Sequence, residues 1–157
     1  MRRLLMLLTL VTVCVFLTTT AASADEVFHS TRLSLMPIGS NPLRNGDVVD
    51  IHPNGPVNYA IEIYHLNGAA PNTTYEIFYR LSGAPFGTPV CGVTSVPFGP
   101  VSSVMTNAQG DGHNQLKIPP SFVTGLGLHG QTLGISWVFE KNGVPAYQTA
   151  CIPVALD

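Results

Sequence analysis

The chain has 157 residues, of which 45% are hydrophobic and only 10% are charged, whereas an average soluble domain has roughly 25% charged residues. The apolar content and the small net charge of -2 exclude an intrinsically disordered chain. The 15 glycines and 13 prolines disfavour long helices, so the composition predicts one compact, helix-poor domain.

The N-terminus has the three parts of a secretory signal peptide. Two arginines precede an apolar stretch of about 14 residues that begins at Leu4, and small residues occupy positions 22–24 as in a cleavage site. The stretch is shorter than the roughly 20 residues of a membrane-spanning helix. We therefore expect residues 1–24 to be a signal peptide and residues 25–157 to be the mature domain, with no transmembrane segment and with an extracellular or cell-envelope location.

Removal of the signal peptide makes the protein more acidic. The mature part keeps all nine acidic residues and five of the seven basic ones, Arg32, Arg44, Arg80, Lys117 and Lys141. A face that binds phosphate backbones needs clustered Lys and Arg. Scattered bases on an acidic chain exclude nucleic acid as a partner.

Three runs of residues alternate between apolar and mixed positions with the period of two that is typical of β-strands. They lie at positions 57–64, 75–81 and 133–139. In the first run, Ile61 and Ile63 are expected on the apolar face. Each run has one strongly apolar and one mixed face, as strands of a two-layer antiparallel structure should.

A resemblance begins after the first run, at Leu66 to Ile77. The segment resembles the L-x-P-x-T-x-Y corner of fibronectin type III and related immunoglobulin-like domains. The resemblance implies that Tyr75 is a corner tyrosine whose hydroxyl ties back to the preceding turn, with Pro71 and Thr73 as corner residues. The longer Leu-to-Pro spacing departs from the family pattern. Asn72 begins an N-glycosylation sequence, but a structural role in the corner is preferred.

Turn residues separate the strands at intervals typical of an all-β domain. Asn142-Gly143 is expected to close a final hairpin. Residues 107–112 imitate the start of a calcium loop but lack its final glutamate, so a glycine-assisted hairpin loop is preferred. A single helical turn is expected at 119–123. The fold class is therefore all-β, a single antiparallel β-sandwich of about eight or nine strands, and the corner resemblance implies that the sandwich is immunoglobulin-like.

Two cysteines, Cys91 and Cys151, lie in the mature chain, and in an exported protein they are expected to form a disulfide. No motif identifies a catalytic residue, a metal site or a cofactor. The five histidines have no ligand spacing, and Glu62 and Glu76 are expected as solvated carboxylates.

The sequence favours a secreted binding or structural module over an enzyme, without assigning a specific activity. Tyr64 and Phe78 are a candidate binding surface for an extracellular protein or a glycan if their strands pair and leave the rings uncovered, but burial under a second sheet or the Pro/Gly-rich loops is preferred. The alternative is a small secreted hydrolase with a His and carboxylate site on its loops. A pocket that brings two histidines close to a carboxylate or hydroxyl would favour this alternative.

Overall fold

The computed structural model describes residues 29–53 and 59–156, so the expected signal peptide lies outside the described residues. In this part of the chain, nine strands, one short α-helix and a 3₁₀ turn at Ala84–Phe86 follow one another. The strands are β1 (His29–Pro37), β2 (Asn45–His52), β3 (Ala60–Asn67), β4 (Thr74–Ser82), β5 (Val96–Met105), β6 (Gly112–Ile118), β7 (Gln131–Lys141), β8 (Val144–Thr149) and β9 (Ile152–Leu156). The helix, α1 (Pro120–Gly125), confirms the expected helical turn after β6.

All strand pairs are antiparallel, and the strands form one continuous sheet in the order β5-β4-β7-β8-β1-β2-β3-β6, with β9 paired to β7. The continuity depends on β1. Its first part, from His29 to Ser34, pairs with β2, and its last part, from Leu35 to Pro37, pairs with β8. Because one strand belongs to both halves, the sheet curves around the core and is nearly barrel-shaped. The all-β class is confirmed, whereas two separate layers are not clearly formed.

A seam between β5 and β6 leaves the curved sheet open. Near the loop at 107–112 the seam is held by a single bridge between Thr106 and Gly112, and by a hydrogen bond of 2.6 Å from Asn114 Nδ2 to the carbonyl oxygen of Ser103. Towards the other end, β5 contains Pro97 and Pro100. Proline has no N–H to donate to a ladder, so this part of β5 presents an edge that β6 cannot pair with fully.

The face directions of β4 and β7 agree with their sequence pattern. Tyr75, Ile77, Tyr79 and Leu81 of β4 are buried, as are Leu133, Trp137 and Phe139 of β7. The Asn142-Gly143 hairpin is also confirmed: both residues have the positive φ angles, 52° and 73°, that a type I′ turn requires.

Strand β3 has the opposite orientation to the one its pattern predicts. Glu62 and Tyr64 are buried in the core, and Ile61 and Ile63 are only half-buried on the outer face. The expectation that Glu62 is a solvated carboxylate was therefore wrong. The physical reason is that β3 carries large side chains on both faces, and three hydrogen-bond donors from the core satisfy the glutamate.

The expected disulfide between Cys91 and Cys151 is present, with 5.6 Å between the two Cα atoms. It ties the loop that follows β4 to the junction of β8 and β9. The loop is also anchored beside the bridge, since the Cys91 N–H donates a hydrogen bond of 2.9 Å to Ser82 Oγ. Among the described residues, no helix has the length and apolar character needed to cross a membrane.

Candidate functional site

An apolar chamber of about 60 Å³ lies at one end of the interior, and we call it the chamber. It is lined by residues of seven strands, β2 to β7 and β9, and by the segment around α1. Most of its wall is aliphatic and includes Leu81, Ile118, Val123, Leu133, Val154 and Leu156. These residues are buried because the inner faces of β4, β6, β7 and β9 meet the helix here. Such a wall favours the apolar part of a small molecule.

The chamber has one polar side, where β2 and β3 lie next to each other. Asp50 and Glu62 are direct cross-strand partners, and both are on the inner face. Directly opposed side chains of paired strands have Cβ atoms about 5 Å apart. Two carboxyl groups therefore share the largely apolar chamber, whereas the sequence pattern placed Glu62 on the solvated face.

Both carboxylate oxygens of Glu62 accept hydrogen bonds from side chains, and these side chains belong to three strands. Its Oε2 accepts hydrogen bonds from the Tyr64 hydroxyl and, at 3.0 Å, from Trp137 Nε1, while its Oε1 accepts one of 3.0 Å from the Tyr79 hydroxyl. A buried polar group whose partners are all present fixes its surroundings in one arrangement. Glu62 therefore orients the rings of Tyr64, Tyr79 and Trp137, of which Tyr79 and Trp137 line the chamber.

Burial raises the pKa of Glu62 to about 7, and the neighbouring charge of Asp50 acts in the same direction. The three donors oppose this shift because they favour the charged carboxylate. The pKa values of Tyr64 and Tyr79 are raised as well, by burial first and by the charge of Glu62 second. Both hydroxyls therefore stay protonated and remain donors at neutral pH.

Asp50 differs from Glu62 in that only one of its oxygens is used. Its Oδ2 lies 3.1 Å from Nε2 of His52, another residue that lines the chamber. Its Oδ1 is buried, and no described residue forms a hydrogen bond with it. The residue is 5% exposed. An unused buried carboxylate oxygen is costly, so its presence in a native fold calls for an explanation.

A groove of about 620 Å³ runs along the open seam outside the chamber, and we call it the seam groove. Its walls include Pro97, Pro100, Leu116 and Pro119, so it exists because the prolines keep β5 and β6 apart. Four residues line both spaces: Tyr79, Phe98, Ile118 and Phe122. The rings of Phe98 and Phe122, with centroids 5.8 Å apart, form the wall between groove and chamber.

Residues 119–130 cover the chamber, and we call them the covering segment. Within α1 only Val123 is buried, and the first turn has no side-chain cap. Gly127 and Gly130 have φ angles of +66° and +75°, and a Cβ atom at either would meet no neighbour. These two glycines are therefore needed for their left-handed backbone conformation and not for close packing. Few buried contacts hold this segment, so it opens at lower cost than the rest of the core.

The opposite end of the interior, which we call the packed end, is built around Tyr75, Phe139 and Tyr147. All three are fully buried. The Ala70 N–H donates a hydrogen bond of 3.3 Å to the Tyr75 hydroxyl, which lies 3.1 Å from that of Tyr147. Tyr147 in turn donates to the Pro42 carbonyl oxygen at 2.7 Å. Every hydroxyl at this end therefore has a partner.

The other corner residues lie beside this network. Thr73 Oγ1 donates a hydrogen bond of 2.9 Å to the carbonyl oxygen of Pro71, and its N–H donates one of 2.9 Å to Thr106 Oγ1. Asn72 is exposed and has a positive φ of 47°. The 107–112 loop is next to this corner, and its Asp111 Oδ1 accepts a hydrogen bond of 2.8 Å from Asn67 Nδ2.

Tyr64 and Phe78 do not share a face. Tyr64 is buried and donates to Glu62, whereas Phe78 is half-buried on the outer side of β4. Their strands are not paired, because β3 pairs with β2 and β6 while β4 pairs with β5 and β7. The two rings therefore form no common surface.

Three of the histidines lie in two places. His52 lines the chamber, while His65 lies on the outer face of β3, 3.0 Å from Asp47 Oδ1 and stacked on His113. The Arg32 and His65 hydrogen bonds hold the pKa of Asp47 below its usual value, although burial raises it. Within residues 29–53 and 59–156, no group of three His, Cys, Asp or Glu side chains is arranged to hold a metal ion.

Sequence reasoning missed Asp50, Glu62 and Trp137 as members of one site. The available signal was the run Asp50-Ile51-His52, which puts an acid and a histidine on one strand face. The pairing of that strand with Glu62 and the opposition of Trp137 depend on the tertiary fold.

The described residues together define an all-β fold with a curved, nearly barrel-shaped sheet and a partly acidic interior chamber. Comparisons with protein-family models, curated proteins and solved structures found no match to this chain.

Proposed function

We propose that this protein is an exported binding module that takes a small, largely apolar molecule into the chamber. The observation that carries the proposal is the chamber itself, which has an aliphatic wall, a localised polar side and a groove directly outside. Ligand sites commonly combine an apolar lining with a few convergent polar groups. The chamber alone is small, so a longer molecule would extend past Phe98 and Phe122 into the seam groove.

Export is part of the proposal. It is supported by the signal-peptide pattern of residues 1–24 and by the disulfide, which is typical of oxidising compartments. N-terminal sequencing of the secreted protein is expected to begin at Asp25.

An immunoglobulin-like relationship is also proposed, and the hydrogen bond between the Ala70 N–H and the Tyr75 hydroxyl supports it. A protein or glycan partner on the outer surface stays a prediction.

Binding is favoured over the alternative of a hydrolase. Among the described residues that line the chamber there is one histidine, His52, and no serine, threonine or cysteine. Hydrolysis by a serine, threonine or cysteine nucleophile needs such a group next to a base. The second histidine close to a carboxylate, His65, lies on the outer face and not in the chamber. The chamber therefore favours recognition by shape and hydrogen bonding over hydrolysis by a serine, threonine or cysteine nucleophile.

The single tryptophan, Trp137, lines the chamber and reports on its occupancy. Titration with butanol, hexanol and octanol, followed by tryptophan fluorescence, is expected to show tighter binding with increasing chain length. Each buried methylene group should raise the affinity about fourfold until the space is filled. Affinities that do not depend on chain length would contradict the proposal.

Filling the chamber provides the matched test. Ala60 is buried and lines the chamber, whereas Ala155 is exposed on the outer face of β9. The change Ala60→Leu is expected to abolish alcohol binding, and the change Ala155→Leu is expected to preserve it. If both variants bind as the parent protein does, the alcohols occupy another place and the proposal is wrong.

A further inference from the structure

Asp50 contributes a hydrogen-bond acceptor that points to the chemistry of a ligand. Its Oδ1 is buried and unused by any described residue, while its Oδ2 is held by His52 at 3.1 Å. The bond to His52 fixes the orientation of the carboxyl group. The free oxygen belongs to a residue that lines the chamber. A ligand with a hydrogen-bond donor at this place would satisfy it.

The charge around Asp50 selects the kind of donor. Glu62 faces Asp50 across the paired strands, and the described residues that line the chamber include no lysine or arginine. Arg32, the basic residue on the neighbouring β1, is directed to Asp47 on the outer face, and its side chain is 73% exposed. A positively charged donor is therefore complementary to this side of the chamber, and a negatively charged group is repelled.

We propose that the ligand of the chamber is a small organic amine, with its protonated nitrogen bound to Asp50 Oδ1 and its apolar part against the aliphatic wall. This inference rests on the proposed binding function and adds the chemical class of the ligand to it. Asp50 is the direct contact. His52 positions the Asp50 carboxyl group, and Glu62 in its ionised form adds negative charge while its own oxygens remain engaged by Tyr64, Tyr79 and Trp137.

The geometry also orients the ligand. Asp50 and Glu62 lie on β2 and β3, and the wall formed by Phe98 and Phe122 separates the chamber from the seam groove. An amine with a short alkyl chain places its nitrogen at Asp50 and its chain against residues such as Ile118 and Leu133. A longer chain continues past the two phenylalanine rings. The site is therefore selective for the head group and tolerant of the tail.

The test uses three molecules with the same alkyl chain, hexylamine, hexanol and hexanoate, titrated into the secreted protein at one pH and ionic strength. Trp137 fluorescence and calorimetry measure binding. We expect hexylamine to bind at least about tenfold more tightly than hexanol, as a charge-assisted hydrogen bond would produce, and hexanoate to bind most weakly. Equal affinities for the amine and the alcohol, or preference for hexanoate, would overturn the inference while leaving the proposed function intact.

A matched pair of variants assigns the contact. Asp50→Asn removes one charge in the chamber, and Glu76→Gln removes one charge from an exposed position on β4. Hexylamine affinity is expected to fall about tenfold in Asp50→Asn, to the level of hexanol, and to stay unchanged in Glu76→Gln. An unchanged affinity in a folded Asp50→Asn protein contradicts the assignment. Should that variant not fold, the three-molecule comparison in the parent protein still decides. Binding of none of the three molecules refutes the proposed function itself.

Discussion

The two ends of the interior are built from the same kinds of side chain but differ in how completely they are satisfied. At the packed end, Tyr75 and Tyr147 form a chain of hydrogen bonds that ends on the Pro42 carbonyl oxygen, and Phe139 packs edge-on against Tyr64. At the chamber end, space remains and an oxygen of Asp50 is unused.

The packed end has the features that stabilise a fold, whereas the chamber end has the features of a recognition site. Close packing and complete hydrogen bonding maximise stability, and the packed end has both. A cavity and an unused carboxylate oxygen are both costly, and they occur together at one end beneath the covering segment. Proteins retain such costs mainly where a ligand supplies the missing contacts. The chamber end is therefore the place to look for function.

The largest expected contrast comes from deleting one phenylalanine ring at each end. Phe139 is fully buried, so Phe139→Ala should lower the free energy of unfolding by about 4 kcal/mol. Phe122 is half-buried beside existing space, so Phe122→Ala should cost only about 1 kcal/mol. Urea denaturation measures both. Equal losses would show that the two ends are packed alike.

The second contrast between the two ends is that Glu62, at the chamber end, makes the free energy of unfolding depend on pH. The pKa of this carboxyl is about 7 in the folded protein and 4.5 in its unperturbed state. Because the folded state holds the proton more tightly, the stabilising contribution is fully present below about pH 4.5 and is lost as the pH rises through about 7. The loss should amount to about 3 kcal/mol.

The variant Glu62→Gln isolates this contribution. Its free energy of unfolding should lack the decline between pH 5 and pH 8 that the parent protein shows, an interval set by the linkage of the raised pKa. Glu76→Gln, which removes an exposed carboxyl, should keep the pH dependence of the parent protein. Parallel profiles of the parent protein and Glu62→Gln, measured by denaturation at several pH values, would refute the pKa shift. Asp50, Tyr64 and Tyr79 also face Glu62, and they remain in both proteins.

The smallest effect is expected from one hydroxyl at the packed end. Tyr75→Phe removes the acceptor of the Ala70 N–H and the partner of the Tyr147 hydroxyl, so it should cost about 1 kcal/mol. The Tyr59 hydroxyl bonds the Ala155 carbonyl oxygen at an exposed place, and Tyr59→Phe should cost less than about 0.5 kcal/mol. A Tyr75→Phe protein as stable as the parent would count against the corner role.

Strands β4 and β3 show which features of the fold could be predicted from the sequence and which could not. In β4, mostly polar residues alternate with Tyr75, Ile77, Tyr79 and Leu81, and Phe78 is the one large apolar exception, so the inner face could be recognised. In β3, Ile61 and Ile63 alternate with Glu62 and Tyr64, and the period of two defines two faces without choosing the inner one. The choice depends on Tyr79 and Trp137, which supply donors to Glu62 from other strands.

The sequence by itself determined the all-β class, the strand-forming runs, the Asn142-Gly143 hairpin and the pairing of Cys91 with Cys151, because these depend on local periodicity, turn chemistry and cysteine number. Only the tertiary structure decided the curvature through β1, the open seam beside the β5 prolines, and the meeting of Asp50 with Glu62. These features depend on which strands become neighbours, and buried carboxyl groups are tolerated only where distant parts of the chain provide their partners.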